Sequence, residues 1–211
     1  MADRPILFSA PMVRALLAGR KTQTRRVVKF EHAAEVDAWD ANGDGSWEMG
    51  VYAGEGAMAG MGRLCCPYGG AGDRLWVRET WAAESHWDGR APSRIFQRLP
   101  GKHAAKVHYM ADGPKPDSFG KTRVSIHMPK SAARIWLEVT RVRVQRVRDI
   151  SEEDARAEGV TPVPFCKAGR PNGQEHVEAF EDLWCSINGA ESWDANSWVW
   201  AIHFKRLETA R

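Results

Sequence analysis

The sequence has few of the features that mark secreted, membrane-spanning or zinc-binding chains. Only four of its 211 residues are cysteine and no two are spaced as C-x-x-C, so we expect free thiols in a reducing compartment. No apolar run approaches the roughly 20 residues needed to cross a bilayer, and the opening MADRPILF lacks the layout of a signal peptide. We therefore expect a cytoplasmic protein with no membrane partner.

The charge balance is close to neutral. With 30 basic against 27 acidic residues, the net charge is +3, which is too mild to indicate nucleic-acid binding by itself. The seven histidines lack the spacing of metal ligands, and no carboxylate cluster accompanies them. The sequence thus predicts neither a metal site nor a cofactor.

The chain does contain material for a large core, since 43% of its residues are hydrophobic and ten are tryptophan. Its length exceeds one average domain but falls short of two, so we expect one domain over residues 1–211.

Two stretches differ in composition from the rest of the chain. The glycine-rich stretch of about 37–71 predicts a hairpin-like insertion, and the polar stretch of about 82–123 predicts an irregular insertion with one strand near 105–110.

The remaining segments predict an α+β fold. Helices are expected over 11–19, 151–158 and 174–188, and strands from residue 27 and over 72–78, 133–147 and 198–207. In the strand over 133–147 the apolar positions are first odd and then even, so its buried face switches near Thr140 and Arg141. A bulge or a barrel corner produces such a switch, and we expect a small barrel-like sheet with a few short helices.

The stretch GRKTQTRR, residues 19–26, concentrates the reactive side chains. Together with Lys29 it places five cations within ten residues, which is typical of a solvated face or a phosphate clamp. A second interpretation takes Thr24 as a nucleophile and Lys21 as its base, because a neutral amine can activate a hydroxyl beside it. Burial and neighbouring cations would lower the pKa of such a lysine. The residues alone leave both interpretations open.

The same stretch resembles the G-x-K-x-x-T/E-x-R signature of ASCH domains, which are small β-barrels related to PUA RNA-binding folds. Three more segments are similar to family elements in the same order: GDRLWV (72–77) to a strand, ISEEDARAEGV (150–160) to a short helix and WVWAIHFKRL (198–207) to the closing strand. The resemblance spans nearly the whole chain, and its layout with two insertions is similar to longer phage-type ASCH proteins. It implies a PUA-like ASCH fold.

Within that superfamily, the sequence is similar to bacterial N4-acetylcytidine amidohydrolases, which carry the same G-R-K-T-x-T run and a glutamate near the end of the matching helix. This resemblance implies Thr24 as the nucleophile, Lys21 as the base, and Glu158 as the residue that holds Lys21 or relays its proton. In such a reaction, Arg26 or backbone amides could stabilise the oxyanion that forms, and Arg26 is a candidate substrate contact. Many ASCH proteins have Glu at the position of Thr24, so threonine here favours hydrolysis over binding alone.

Four other residues are candidates for substrate contact. Phe8 and Ser9 precede the first helix and could line the pocket, although helix capping is the simpler role for Ser9. Trp76 could stack on a base, although a chain with ten tryptophans must bury most of them. Glu79 could bind substrate, although an ion pair with a nearby arginine is the ordinary explanation.

The leading hypothesis is a metal-independent amidohydrolase that removes the acyl group from N4-acylated cytosine nucleosides, with a small-molecule nucleoside as substrate. The alternative is an RNA-binding or RNA-processing module whose phosphate groove is lined by Lys21, Arg25, Arg26, Arg141, Arg143, Arg146 and Arg148. A third hypothesis is a phage-derived interaction protein without catalysis. The sequence indicates no oligomeric state.

Overall fold

The computed structural model describes residues 1–29, 38–41, 46–53, 57–96, 105–165 and 172–208. The strands in this part of the chain are β1 (Asp3–Leu7), β2 (Gln23–Val27), β3 (Ala38–Ala41), β4 (Ser46–Ala53), β5 (Ala57–Cys65), β6 (Arg74–Arg78), β7 (Trp81–Ala83), β8 (Val107–Tyr109), β9 (Trp136–Arg146) and β10 (Trp198–Leu207). The helices are α1 (Ala10–Leu17), α2 (Pro92–Ile95), α3 (Glu152–Ala157) and α4 (Glu175–Asn188).

The main sheet has five strands in the order β1-β6-β9-β10-β2. Strands β1 and β6 are parallel and all other neighbours are antiparallel. Strand β10 is apolar on both faces, because Trp200 and Ile202 alternate with Val199 and Ala201 and all four are buried. A strand with two buried faces needs cover on both sides, and the rest of the chain supplies it.

Each face of the main sheet carries its own hydrophobic cluster. On one face, Val13 and Leu16 of α1 pack with Trp200 and Ile202, and Trp39 of the first insertion adds to this cluster. On the other face, the cluster contains Val199 of β10, Ala155 of α3, and Val177, Phe180 and Trp184 of α4. The end strand β2 therefore lies between α1 on one side of the sheet and α3 and α4 on the other.

Both predicted insertions contain regular structure. The first forms a three-stranded antiparallel sheet in the order β3-β4-β5, which extends the hairpin that we expected. In the second, β8 confirms the strand predicted near 105–110 and pairs with β7. A small cluster that includes Trp81, Ile95 and Met128 gives this second insertion its own apolar core. The division of 1–211 into one domain with two insertions stays a prediction.

The α+β class is confirmed, as are the three predicted helices and the closing strand. The change of buried face in β9 is also confirmed: the register between β9 and β10 shifts between His203 and Phe204, which leaves Thr140 without a directly opposed partner. The predicted start of a strand at residue 27 was wrong, because β2 begins at Gln23 and ends at Val27.

The barrel that we predicted is not closed by the described strands. Strands β1 and β2 end the main sheet and are not paired with each other in this part of the chain. They approach through one side chain, since Arg26 Nη2 donates to the carbonyl oxygen of Leu7 at 2.7 Å. In the described part of the chain the main sheet is therefore open, and the Arg26 side chain joins its two end strands.

Within the described ranges, no helix is both long and apolar enough to cross a membrane. Cys65, Cys66 and Cys185 are free thiols, as predicted, and Cys166 lies outside the described residues.

Candidate active site

Lys21 lies in the short connection between α1 and β2. Gly19 takes a φ of +72° just after α1, and the amides of Arg20 and Lys21 both donate to the carbonyl oxygen of Ala15, at 2.9 and 3.1 Å. The next amide, that of Thr22, donates to α3 at 2.8 Å. These bonds direct the Lys21 side chain into the protein, where none of it is exposed to solvent.

The Lys21 ammonium group is paired with Glu158. Its Nζ donates to Glu158 Oε2 at 2.7 Å and to the Glu158 carbonyl oxygen at 2.8 Å. Glu158 is the C-cap residue of α3 and is itself buried. Burial lowers the pKa of Lys21, and the Glu158 carboxylate opposes this effect without cancelling it. Lys21 therefore loses its proton at lower pH than an exposed lysine does.

Gly159 sets the distance between α3 and Lys21. Its φ is +82°, and a Cβ placed there would lie 2.8 Å from Lys21 Cβ and 2.9 Å from Ala15 Cβ. Only glycine allows the backbone after α3 to come this close to α1. The close approach brings Glu158 within hydrogen-bonding distance of the lysine.

Arg25 connects this ion pair to a second carboxylate. Its side chain is fully buried, and Nη2 donates to Asp154 Oδ2 at 2.9 Å while Nη1 donates to Glu158 Oε1 at 3.4 Å and to Gln23 Oε1. Asp154 also accepts from Gln23 Nε2 at 2.8 Å and from Arg143 Nη2 at 2.6 Å. Burial alone would raise the pKa of Asp154, but the hydrogen bonds from Arg143 and Gln23 lower it on balance.

Thr24 lines a small cavity along the free edge of β2. The cavity measures about 60 Å³, and Thr24 and Glu158 share it with residues 25–27, Met12 of α1, and Phe180, Leu183 and Trp184 of α4. Thr24 is 1% exposed, and its hydroxyl makes no hydrogen bond to any described residue. The structure brings Thr24 and Glu158 to one cavity, and the Lys21 Nζ hydrogen bonds within the described residues go to Glu158 rather than to Thr24.

Arg26 and Phe8 lie at the same site. Arg26 lines the cavity, and its guanidinium carbon lies 5.4 Å from the centre of the Phe8 ring. Lys21 Nζ lies at the same distance from that ring. Phe8 is buried beside both cations and does not line the cavity itself. A cation over an aromatic face is attracted by the quadrupole of the ring, so Phe8 helps to hold both side chains.

Two predicted substrate contacts lie elsewhere. Trp76 belongs to β6, which two strands separate from β2, and its ring contacts Arg78 at 4.7 Å. Ser9 is the N-cap residue of α1, but its side chain makes no capping bond; only its carbonyl oxygen accepts, from the amide of Val13 at 2.9 Å. Neither residue lines the cavity, so the structure gives no support to the roles predicted for them.

Glu79 forms an ion pair with an arginine, which was the expected alternative to substrate binding. The arginine is Arg134, which is distant from Glu79 in the sequence. Arg134 holds both carboxylate oxygens of Glu79, at 2.9 and 2.8 Å, and also binds Asp112 through two bonds. Burial raises the pKa of Glu79, and the bonds from Arg134 oppose that rise. Through Asp112 these contacts link the end of β6 to the second insertion, and none of the three residues lines the cavity.

The cations of the alternative phosphate groove do not share one surface. Lys21 and Arg25 are buried in ion pairs. Within β9, Arg143 lies on the face that packs against α3, where it binds Asp154. Arg146 lies on the opposite face, 4.2 Å from the ring of Trp198. Strand alternation thus divides the arginines that the alternative hypothesis grouped together.

Sequence reasoning placed Arg25 only in the alternative phosphate groove, and it missed Asp154 and the wall of α4 as parts of the site. A signal for the first two was present: Asp154 and Glu158 are four residues apart and so share a helix face, and Gln23 and Arg25 are two apart and so share a strand face. The contribution of α4 had no local signal, because its apolar face predicts only burial.

Within the described ranges, no three His, Cys, Asp or Glu side chains are grouped so that they could hold a metal ion. The site consists instead of a buried lysine, two carboxylates, two arginines and one hydroxyl. Such a set can transfer a proton and stabilise a developing negative charge.

No family model matches the chain, and no curated protein matches it. Among solved structures, the chain is similar to the crystal structure of protein EF3133 from Enterococcus faecalis V583, described as a family-model DUF984 protein. The identity is 10% and the TM-score is 0.39, over 100% of this chain and 85% of that one. A likeness of this degree decides neither fold nor function, so the ASCH resemblance stays a prediction from the sequence.

Proposed function

We propose that the protein is an amidohydrolase that removes the acyl group from N4-acylated cytosine nucleosides such as N4-acetylcytidine. The observation that carries the proposal is the buried Lys21–Glu158 pair at 2.7 Å, which adjoins the cavity that Thr24 and Glu158 line. Burying a lysine costs free energy because its ammonium group loses water. A lysine with a lowered pKa beside a cavity that contains a hydroxyl group is typical of a catalytic base. The assignment to ASCH domains and to a PUA-like fold belongs to this proposal and rests on the four sequence motifs.

The reaction begins when neutral Lys21 takes the proton of the Thr24 hydroxyl. Thr24 Oγ then forms a bond to the acyl carbon, and the π electrons of the carbonyl move to its oxygen. When the carbonyl forms again, the bond between the acyl carbon and N4 breaks, and Lys21 returns the proton to the departing nitrogen. Water then cleaves the acyl-Thr24 ester by the reverse proton route. Glu158 accepts a hydrogen bond from Lys21 throughout and keeps the amine in place.

The test is hydrolysis of N4-acetylcytidine by the purified protein, with and without a chelator. We expect Thr24→Ala to lose about a thousandfold or more of kcat, and Lys21→Met about a hundredfold or more. Thr22→Ala is the matched control, because Thr22 lies two residues away and is exposed. Full activity in Thr24→Ala would exclude Thr24 as the nucleophile, and activity lost to the chelator would exclude the metal-free scheme. Absence of turnover together with salt-sensitive RNA binding would favour the alternative.

A further inference from the structure

His203 of β10 faces the polar network of the candidate site. It lies opposite Gln23 of β2 and Arg141 of β9 in the sheet, and its ring is partly buried. Its Nε2 lies 3.0 Å from Gln23 Nε2 and 3.1 Å from Arg143 Nη2. Its Nδ1 lies farther from the same Gln23 nitrogen, at 3.4 Å. One nitrogen of the ring therefore has two nitrogen neighbours within hydrogen-bonding distance.

These two neighbours determine which form of His203 fits. Arg143 Nη2 can only donate. The Gln23 amide is oriented by its other partners, because Nε2 also donates to Asp154 and Oε1 accepts from Arg25. Both neighbours of His203 Nε2 are thus donors, so Nε2 accepts and the neutral ring carries its proton on Nδ1. A proton on Nε2 would face two donors and would break both bonds.

The same two donors hold Asp154 of α3. Gln23 Nε2 donates to Asp154 Oδ1 at 2.8 Å, and Arg143 Nη2 donates to Asp154 Oδ2 at 2.6 Å. Each of these nitrogens carries two N–H groups, so it can bind Asp154 with one and His203 with the other. Loss of the His203 acceptor therefore disturbs the groups that fix the Asp154 carboxylate.

Asp154 is connected to the proposed catalytic base through Arg25. It accepts from Arg25 Nη2 at 2.9 Å, and Arg25 Nη1 donates to Glu158 Oε1 at 3.4 Å. The other oxygen of Glu158 holds Lys21 Nζ at 2.7 Å. We propose that neutral His203 is a positioning residue, which keeps Lys21 in place through this network and ceases to do so when Nε2 gains a proton from solvent. The inference rests on the proposed function and gives His203 no contact with substrate.

Charged groups on three elements act on His203. Arg141 and Arg143 lie on β9, Arg25 lies on β2 and Asp154 lies on α3. Burial lowers the pKa of His203 and the arginines lower it further, whereas Asp154 opposes the fall without cancelling it. An ordinary histidine has a pKa of about 6.5. The folded protein therefore holds His203 in its neutral, accepting form at neutral pH, and the ring gains a proton only at lower pH than an exposed histidine does.

The kinetic test compares the parent with His203→Gln, whose carbonyl oxygen can accept in place of Nε2 but does not titrate. At about pH 8 we expect His203→Gln to keep kcat/KM within about threefold. His203→Leu, which has no acceptor, is expected to lose about tenfold or more, because a misplaced base reacts slowly. Below about pH 6 the ratio of kcat/KM in the parent to that in His203→Gln is expected to fall by up to about tenfold per pH unit. The effect of protonating Lys21 is common to both proteins and cancels in this ratio.

His127→Gln is the matched control. His127 is exposed, and its ring makes no hydrogen bond within the described ranges, so the ratio of the parent to His127→Gln is expected to stay constant with pH. All rates are compared only at pH values where circular dichroism shows that the proteins are folded. If the ratio of the parent to His203→Gln is also constant, the inference is overturned and the proposed function stands.

A second measurement does not depend on turnover. In protein labelled with 15N-histidine and with 13C at the lysine Cε, the neutral His203 ring is expected to carry its proton on Nδ1. As His203 gains its second proton, the Lys21 Cε signal is expected to shift with the same midpoint in the parent, and to show no such step in His203→Gln. A neutral ring with its proton on Nε2 overturns the inference, and so does a Lys21 signal that ignores the titration of His203. If the parent does not hydrolyse N4-acetylcytidine but both signals behave as expected, the proposed function fails and His203 remains the residue that positions the Lys21–Glu158 pair.

Discussion

At the scale of single residues, we expect the proton on Lys21 to determine how the proposed activity and the stability depend on pH. Burial lowers the pKa of Lys21, so the neutral base forms at lower pH than it does for a free lysine. We expect kcat/KM to rise with pH through that lowered pKa when it is measured from about pH 6 to about pH 10. Lys21→Arg is the control, because an arginine does not titrate in this range and its variant is expected to lack the rising limb. A rising limb that persists in Lys21→Arg would assign it to another group.

The sign of the stability effect follows from the same shift. Between the lowered pKa of folded Lys21 and the ordinary pKa of an unfolded lysine, the unfolded chain binds more protons, so Lys21 makes stability rise with pH in that window. We expect this contribution to disappear in Lys21→Met. Urea denaturation of both proteins at several pH values measures it, and equal slopes for the two would contradict the assignment.

The buried pair also predicts a coupling between its two members. Glu158→Gln leaves the Lys21 ammonium buried without its carboxylate, and loss of one partner from a buried pair costs about 3–5 kcal/mol. In the double variant Lys21→Met with Glu158→Gln no charge is left unpaired in this way. We therefore expect the double variant to be more stable than the sum of the two single effects by about 0.5–3 kcal/mol. Additive losses of free energy in urea denaturation would show that the two side chains do not interact.

At the scale of elements, the sequence predicted those helices and strands whose pattern is set by residues close together in the chain. Ser151 caps α3 by accepting from the Asp154 amide at 3.1 Å, and the apolar alternation of β10 matches its observed bounds. Strand β2 escaped prediction because its inward residues, Gln23 and Arg25, are polar and become buried only through partners on α3. The cavity could not be predicted either, since it exists only where α1 and α4 flank the same strand edge.

Gly159 and Gly19 test the contact between α3 and α1 as a matched pair. Both have positive φ, but a Cβ at Gly159 would meet Lys21 Cβ at 2.8 Å, whereas a Cβ at Gly19 meets nothing within 4 Å. We expect Gly19→Ala to cost about 1 kcal/mol from backbone strain alone, and Gly159→Ala about 2–4 kcal/mol. Because it displaces Lys21, Gly159→Ala is also expected to lower kcat/KM at least about tenfold. Equal losses of stability in urea denaturation would show that the contact with Lys21 is unimportant.

At the scale of the whole molecule, tryptophans join the first insertion to the main sheet. The ring of Trp39 lies 6.1 Å from that of Trp198 and 6.0 Å from that of Trp200, both edge to face. Trp39 is partly exposed, so we expect Trp39→Ala to cost about 2–3 kcal/mol, below the range for a fully buried tryptophan. Phe165→Ala is the control, since that ring is 86% exposed and its loss is expected to change stability by less than about 0.5 kcal/mol. Equal midpoints for the two variants in urea would show that the insertion adds no stability through Trp39.

The free edge of β2 has a consequence for solubility. An unpaired strand edge is a template on which strands of other molecules can add, and proteins resist this by covering the edge or by placing charges on it. Here Arg26 provides a charge, and α1 and α4 flank the edge around a cavity of about 60 Å³. We expect substitutions that shorten Leu183 or Met12, both of which line the cavity, to uncover the edge to self-association. Under the proposed function, aggregation as well as fit would therefore limit how far this cavity can be widened for larger acyl groups.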